Sequence, residues 1–488
     1  MMEALSDLSV RQLAAMLAQK QCSAVELAEH YLQRIAQIDP LLNSFILVDT
    51  EKTLAEARTA DLCRAQGQAG VLTGIPVAHK DIFCAQGWRS SCASKMLINF
   101  VAPYDAHIIR RCKQAGMVTL GRTNMDEFAM GSSTENSYFG PTKNPWDRQA
   151  VPGGSSGGAA AAVAARLSPL ATASDTGGSI RQPAAFCGVT GIKPTYGLLS
   201  RYGMIAYASS FDQAGVIAAN AEDCGYLLQQ LVDYDCRDAT CVAYAPPSYQ
   251  DGYSRSLKGR RLGVPKQYFG EGLQSEVAAA IEAALVCYRR LGAEVVDIDL
   301  PHAHQALAPY YILTSAEASS NLARFDGVRY GHRSQHYVNL DDMYQRSRTE
   351  GFGKVVRERI LMGTYVLSQG YYDAYYVKAQ RARRIISDDF TVAFQHCDLL
   401  VAPVSPTVAW DLGTKTDDQV AMWLSDLYTV AVNLAGLPAL SHPIGFAPNK
   451  RPIGLQLIAA HGQEMQLLNV AYQYQQHSDW HRQSPSFT

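Results

Sequence analysis

The chain has 488 residues, 47% of them hydrophobic and 18% charged, and its 43 basic and 45 acidic side chains leave a net charge of −2. At about 150 residues per domain the length allows about three domains, although large α/β enzymes hold more in one unit. The charge balance gives no nucleic-acid footprint at whole-chain level, and 37 glycines and 21 prolines exclude collagen-like and low-complexity classes.

The first forty residues read as helix. Ser9 with Gln12 and Ser23 with Glu26 match capping boxes. Val25, Ala28, Leu32, Ile35 and Ile38 then recur at helical spacing, and Asp39-Pro40 is expected to end the run. From residue 70 the texture is α/β. GVLTGIPVAHKDIF (70–83) is a short apolar strand, and AHIIRRCKQAGMVTLGRTN (106–124) is a helix, a stop at Gly116 and a buried strand. EVAAAIEAALVCYRRLGAEVVDIDLP (276–301) repeats that scheme with its stop at Gly292, and HCDLLVAP (396–403) and PIGLQLIAA (452–460) are further strands. Strands alternating with helices predict an α/β fold, one large domain over 1–488 with a mixed twisted sheet covered by helices. A helical, tyrosine-rich insertion is expected over about 300–395, its tyrosines serving core and groove packing. Leu427 to Asn449 lacks formal charge over a bilayer-spanning length, but Pro438, Pro443, Pro448 and Gly436 break a helix repeatedly. A buried turn-and-strand region, with no membrane contact, is the expectation. Eleven cysteines without a C-x-x-C pair read as reduced, mostly buried thiols. MMEALSDLSVRQ carries acids where a signal peptide needs basic charge, so a cytoplasmic location is expected. The tail HSDWHRQSPSFT follows no usable pattern and is expected to be mobile.

The densest chemical signal is VPGGSSGGAAAAVAARLSPLATASDTGGSIRQPAAFCGVTGIKP (151–194). Ser155 and Ser179 each follow a glycine pair, with an alanine-rich helix between them. Glycines let backbone N–H groups approach a ligand closely, as an oxyanion site requires, and Thr176, Gly177 and Gly178 are candidate donors. A flexible linker, a phosphate cradle or a plain structural turn are the competing readings; neither G-x-x-x-x-G-K-[ST] nor G-x-G-x-x-G is present. A serine nucleophile needs a base, yet no histidine stands in a triad motif and there is no G-x-S-x-G elbow. Lys80 ends an apolar strand, where burial would lower its proton affinity. It could deprotonate one serine through the other, or it could simply pair with Asp81.

GGSSGG followed by DTGGSIRQPAAFCGVTGIKPTYG, together with AHKDI, resembles the amidase signature family over a core of about 70–220. The resemblance implies Ser179 as acyl-forming nucleophile, Ser155 after a cis peptide bond as proton relay, and Lys80 as general base and acid. Asp175 and Arg181 are expected to fix the nucleophile turn as scaffold charges. Ala159 stands where serine is common in the family, with little effect expected. Four longer stretches, GRTNMDEFAMGSSTENSYFGPTKNPWD, EASSNLARFDGVRYGHR, RERILMGTYVLSQGYYDAYYVKAQRARR and VNLAGLPALSHPIG, resemble the branch that serves as A subunits of glutamyl-tRNA(Gln) amidotransferases. That resemblance implies hydrolysis of L-glutamine and transfer of ammonia to a partner subunit, which amidates Glu-tRNA(Gln), or Asp-tRNA(Asn), with ATP. It implies a heterotrimer with subunits B and C, tRNA held mainly by the partner, ATP and Mg at the partner, and no metal or cofactor here. Arg359 is implied as the clamp for the substrate carboxylate, Asp426 as the acid for its ammonium and Tyr310 as a pocket tyrosine. Gly131 and Ser132, with Met130, are implied as pocket or exit lining. A free-standing amidase acting on small or aryl amides remains the alternative, and a decayed, non-catalytic scaffold a more distant one.

Overall fold

The structure, a computed structural model, describes residues 2–244, 246–253, 255–270 and 272–487. Helices α1 (Val10–Ala18) and α2 (Ala24–Leu42) each start on a complete capping box, at Ser9/Gln12 and Ser23/Glu26. Helix α2 does not stop at Asp39-Pro40. Pro40 falls in the last turn, where it removes a single intrahelical donor, the one that would serve the Ala36 carbonyl; Asn43 closes the helix in the left-handed conformation. Asp39 accepts from the Ser44 (2.8 Å) and Phe45 (3.2 Å) amides, turning the chain into the first strand.

The chain then runs through β1 (Phe45–Leu47), α3 (Thr50–Ala65), β2 (Pro76–Lys80), α4 (His107–Gln114) and β3 (Val118–Thr123). Next come α5 (Gly157–Ala164), β4 (Leu170–Asp175), α6 (Arg181–Cys187), β5 (Thr190–Lys193), β6 (Gln213–Ala218) and α7 (Ala221–Leu231). After β7 (Arg261–Pro265), α8 (Ser275–Arg290) and β8 (Glu294–Ile298), a helical block follows: α9 (Leu307–Asn321), α10 (Leu340–Gly351), α11 (Lys354–Val366) and α12 (Lys378–His396). The chain ends with β9 (Leu399–Pro403), α13 (Gln419–Leu424), α14 (Val430–Leu434), β10 (Ala439–Phe446), β11 (Pro452–Ala459) and α15 (Glu464–Gln475).

Among the described residues the eleven strands form one mixed sheet in the order β1-β3-β2-β4-β6-β5-β10-β11-β9-β7-β8. The triplets β3-β2-β4 and β9-β7-β8 are parallel, and the remaining pairs are antiparallel. Strands β2 and β4 run side by side with Ala78 opposite Ala171 and His79 opposite Thr172. Their carboxyl ends, Lys80 and Asp175, therefore open on the same edge, the usual place for a site in a sheet with parallel strands. Every residue of α5, GGAAAAVA, is buried. Side chains this small let the helix lie close against β2, β4 and β6.

Three expectations change. Trp480 of the tail packs on the core, near Phe446, and His481 is buried, so apolar contact docks the segment through residue 487 instead of leaving it mobile. The tyrosines divide: Tyr310 and Tyr311 are buried on α9, whereas Tyr365, Tyr371, Tyr372 and Tyr375 are exposed at the end of α11 and in the π-helical turn Tyr372–Val377. Residues 427–449 contain the short helix α14 as well as β10; among the described residues no helix is long and apolar enough to cross a membrane. The eleven cysteines are all free, and Cys236 is exposed.

Candidate active site

Lys80 is fully buried at the end of β2. Its Nζ lies 2.7 Å from Ser155 Oγ, 2.8 Å from Ser156 Oγ and 2.9 Å from Ser174 Oγ. Asp81 is not its partner: that carboxylate pairs with the buried Arg122 (3.1 Å) and accepts from Ser91. The Gly154–Ser155 peptide is cis. Burial pushes the Lys80 ammonium down to about 7, against the pull of Asp126, Asp175 and Asp212. At neutral pH a large share of Lys80 is therefore an amine with a lone pair. The geometry selects which hydroxyl can reach it. Ser156 donates its own proton to the Ser174 carbonyl (3.0 Å) and can only accept from Lys80. Ser155 and Ser174 have no such commitment among the described residues; of the two, Ser155 makes the shorter contact with the amine and belongs to the glycine-serine turn that adjoins Ser179.

Ser179 follows β4 in the turn Thr176–Ile180. Its carbonyl accepts from the Ser156 amide (3.2 Å), which joins the two glycine-serine turns. Asp175 organises the loop: it takes two hydrogen bonds from the Arg181 guanidinium (3.0 Å each) and accepts from the Gly178 (2.8 Å) and Ile180 (3.1 Å) amides. Burial alone would raise its proton affinity, but the Arg181 charge and hydrogen bonds hold the carboxyl well below the usual range. One oxyanion expectation is corrected here. The Gly178 N–H is spent on Asp175, while the Gly177 and Ser179 amides donate to no group among the described residues. Thr176 binds Asp212 through its hydroxyl (2.6 Å). Glycine is required at 177 and 178 by close approach, because a Cβ would strike the Tyr310 hydroxyl and the Thr429 side chain, respectively, and Gly178 has φ +131°.

Ser179 opens into a small pocket lined by Met130, Gly131, Ser132, Gly177, Tyr207, Tyr310, Tyr311, Arg359 and Asp426. The structure thus gathers every pocket residue singled out in the sequence around the second serine. Arg359, on α11, stacks over the Tyr311 ring (4.5 Å), faces Trp423 (5.7 Å) and donates to the Tyr207 hydroxyl (3.0 Å). Asp426 accepts from Tyr311 (2.7 Å) and Ser132 (2.9 Å), and burial pushes its carboxyl up to about 6. Tyr310 packs edge-on to Tyr311 and Phe211. One wall is thus cationic and another anionic, the charge pattern that complements a zwitterion. Tyr207, Tyr311, Trp423, Ser156 and Ser174 were not anticipated. Ser156 and Ser174 adjoin residues of the glycine-serine segment, and Tyr311 follows Tyr310; Tyr207 and Trp423 carry no local signal. No group of three His, Cys, Asp or Glu able to hold a metal exists among the described residues.

A sheet-end serine pair with a buried lysine defines an amidase-type acyl-transfer site. The Amidase family profile matches residues 26–468, and the chain belongs to this family. It is 58% identical over 482 residues, 99% of this chain and all of the other, to the A subunit of the glutamyl-tRNA(Gln) amidotransferase of Chromobacterium violaceum. The crystal structure of the corresponding A subunit from Thermotoga maritima superimposes with a TM-score of 0.80 at 37% identity, covering 96% of this chain and 94% of that one. The peptide amidase of Stenotrophomonas maltophilia is more distant in sequence, 30% identical, with a TM-score of 0.83 over 98% of each chain.

Proposed function

We propose that this chain is the glutamine-hydrolysing A subunit of a tRNA-dependent amidotransferase, working with B and C subunits in the cytoplasm. The observation that carries the reading is one pocket holding a serine, a buried guanidinium and a buried carboxylate. Free glutamine presents an α-carboxylate for Arg359, which can bind it through paired N–H groups, and an α-ammonium for Asp426. That arrangement delivers the side-chain amide to Ser179. Ser179 Oγ attacks the amide carbon as its proton moves through Ser155 to the Lys80 amine. The Gly177 and Ser179 amides, with Thr176, stabilise the oxyanion. The tetrahedral intermediate collapses as the relay returns the proton to the departing nitrogen, which leaves as ammonia. Water, deprotonated by the same relay, then hydrolyses the glutamyl ester. None of these steps calls on a metal or cofactor of this subunit; ATP, Mg and the acceptor Glu-tRNA(Gln), or Asp-tRNA(Asn), belong to the partner.

The test is purification of the tagged chain from its own host. The expected species carries one larger and one smaller polypeptide and releases ammonia from glutamine. Ser179→Ala abolishes that release and blocks covalent labelling by an electrophilic glutamine analogue. A lone monomer or homodimer that hydrolyses simple amides would replace this reading with a free-standing amidase, and near-normal release by Ser179→Ala would overturn the nucleophile.

A further inference from the structure

Residues 124–134 form a strap between β3 and the first glycine-serine turn, and its residues 129–132 line the pocket. The backbone is left-handed at Phe128 (φ 49°), Ala129 (61°) and Thr134 (58°), conformations that side chains disfavour. Its surroundings must therefore hold the strap, and two adjacent buried carboxylates do so in opposite directions. Asp126 meets the relay through its backbone, with its carboxylate packed beside Gly154. Its N–H donates to the Ser155 carbonyl (3.3 Å), its Oδ2 accepts from the Thr134 amide (3.0 Å), and its carboxylate fills the space that a side chain at Gly131 or Gly154 would need. Its Oδ1 has no hydrogen-bond partner among the described residues. Glu127 reaches the clamp. Its carboxylate accepts from the Ser94 hydroxyl and from the Gly353 amide (2.9 and 3.2 Å). Gly353 is the N-cap of α11, the helix that carries Arg359, and a carboxylate there also complements the helix dipole.

We propose that Asp126 and Glu127 are positioning residues for two separable steps, Asp126 for the serine–lysine relay and Glu127 for the guanidinium that holds the substrate carboxylate. The inference rests on the glutaminase reading. The charged or titratable groups that act most strongly on Lys80 are Asp126, Asp175, Cys92 and Asp212; those that act on Asp126 include Lys80 and Glu135. Burial pushes the Asp126 carboxyl up to about 7. Its anion is one of the charges that support the proton affinity of Lys80. Removing it weakens the base, which moves the acid limb of turnover to lower pH and lowers the plateau. Glu127 bonds to neither serine of the relay nor to Lys80, so its loss is read in substrate binding.

Ammonia release from glutamine and from propionamide, which lacks the α-carboxylate, is measured against pH in the assembly purified from its host. Asp126→Asn moves the acid limb down by about one unit for both substrates and changes the glutamine KM little. Glu127→Gln raises the glutamine KM about tenfold, the effect of one weakened charge-assisted hydrogen bond, and depresses propionamide turnover far less; Glu127→Asp recovers part of the loss. Asp126→Ser, also without a carboxylate, reproduces the limb displacement should the asparagine variant fail to fold. An unmoved acid limb in both Asp126 variants, or equal losses on the two substrates in Glu127→Gln, would overturn the assignment. A wild-type assembly inert toward glutamine would overturn the glutaminase reading instead, with the propionamide limb still deciding Asp126.

Discussion

Replacing Lys80 by methionine isolates the cost of burying this ammonium. Burial takes the group from its ordinary 10.5 to about 7. The folded chain then binds the proton more weakly than the unfolded one, so the sign follows from linkage. The contribution of this group to stability is complete only above pH 10.5. It is lost at about 1.4 kcal/mol per unit as pH falls toward 7, and levels off below 7. Between pH 7 and 9 the wild-type protein gains about 2 kcal/mol that Lys80→Met does not. Methionine also forfeits the contacts with Ser155, Ser156 and Ser174, but that penalty does not depend on pH, so the difference curve reports the lysine together with Asp126, the carboxyl coupled to it. Urea unfolding of both proteins at pH 7, 8 and 9 provides the curve. Repeating it in an Asp126→Asn background, where the neighbouring carboxyl no longer titrates, keeps the sign. Parallel stability curves would mean that Lys80 keeps an ordinary proton affinity, and a neutral-lysine base would be refuted with it.

Arg359→Ala leaves the substrate carboxylate without its partner, and kcat/KM for glutamine falls by about 2–5 kcal/mol, tens- to thousands-fold; propionamide kinetics, which need no clamp, change much less, and equal losses would exclude the clamp. Asp426 must be ionised to hold an ammonium, and its carboxyl sits at about 6. The glutamine KM therefore rises about tenfold per unit as pH drops below 6, a dependence that Asp426→Asn flattens at a high KM; a wild-type KM flat from pH 5 to 7 would remove Asp426 from ammonium binding. Asp175→Asn strips the buried Arg181 of its counter-charge and destabilises the fold by about 3–5 kcal/mol, read as a lower Tm. Lost activity at an unchanged Tm would instead give Asp175 a direct part in the chemistry.

Legibility followed the range over which each feature is encoded. Strand β2 and its terminal Lys80 stand out because an apolar run stops on a charge. The capping boxes, Gly116 and Gly292 mark their elements within four residues. Strand β4, Leu-Ala-Thr-Ala-Ser-Asp, has little β propensity; it is a strand because β2 and β6 flank it and an all-small helix, α5, covers it. Arg359, Asp426 and Tyr310 converge from three distant segments, so no spacing announces them and only the family resemblance pointed there. The oxyanion donors were half legible. Glycine pairs advertise available amides, but that Asp175 occupies the Gly178 amide is a fact of three-dimensional packing. The strap is the sharpest case. Nothing local marks two consecutive acids after a strand as buried, because carboxylates are rarely buried. Here both are buried: Asp126 takes a backbone donor from Thr134 within the strap and passes its own N–H to Ser155, and Glu127 takes its donor from the N-cap of α11. Burying them is costly, and what the fold obtains in exchange is a fixed relation between the turn that moves protons and the helix that holds the substrate.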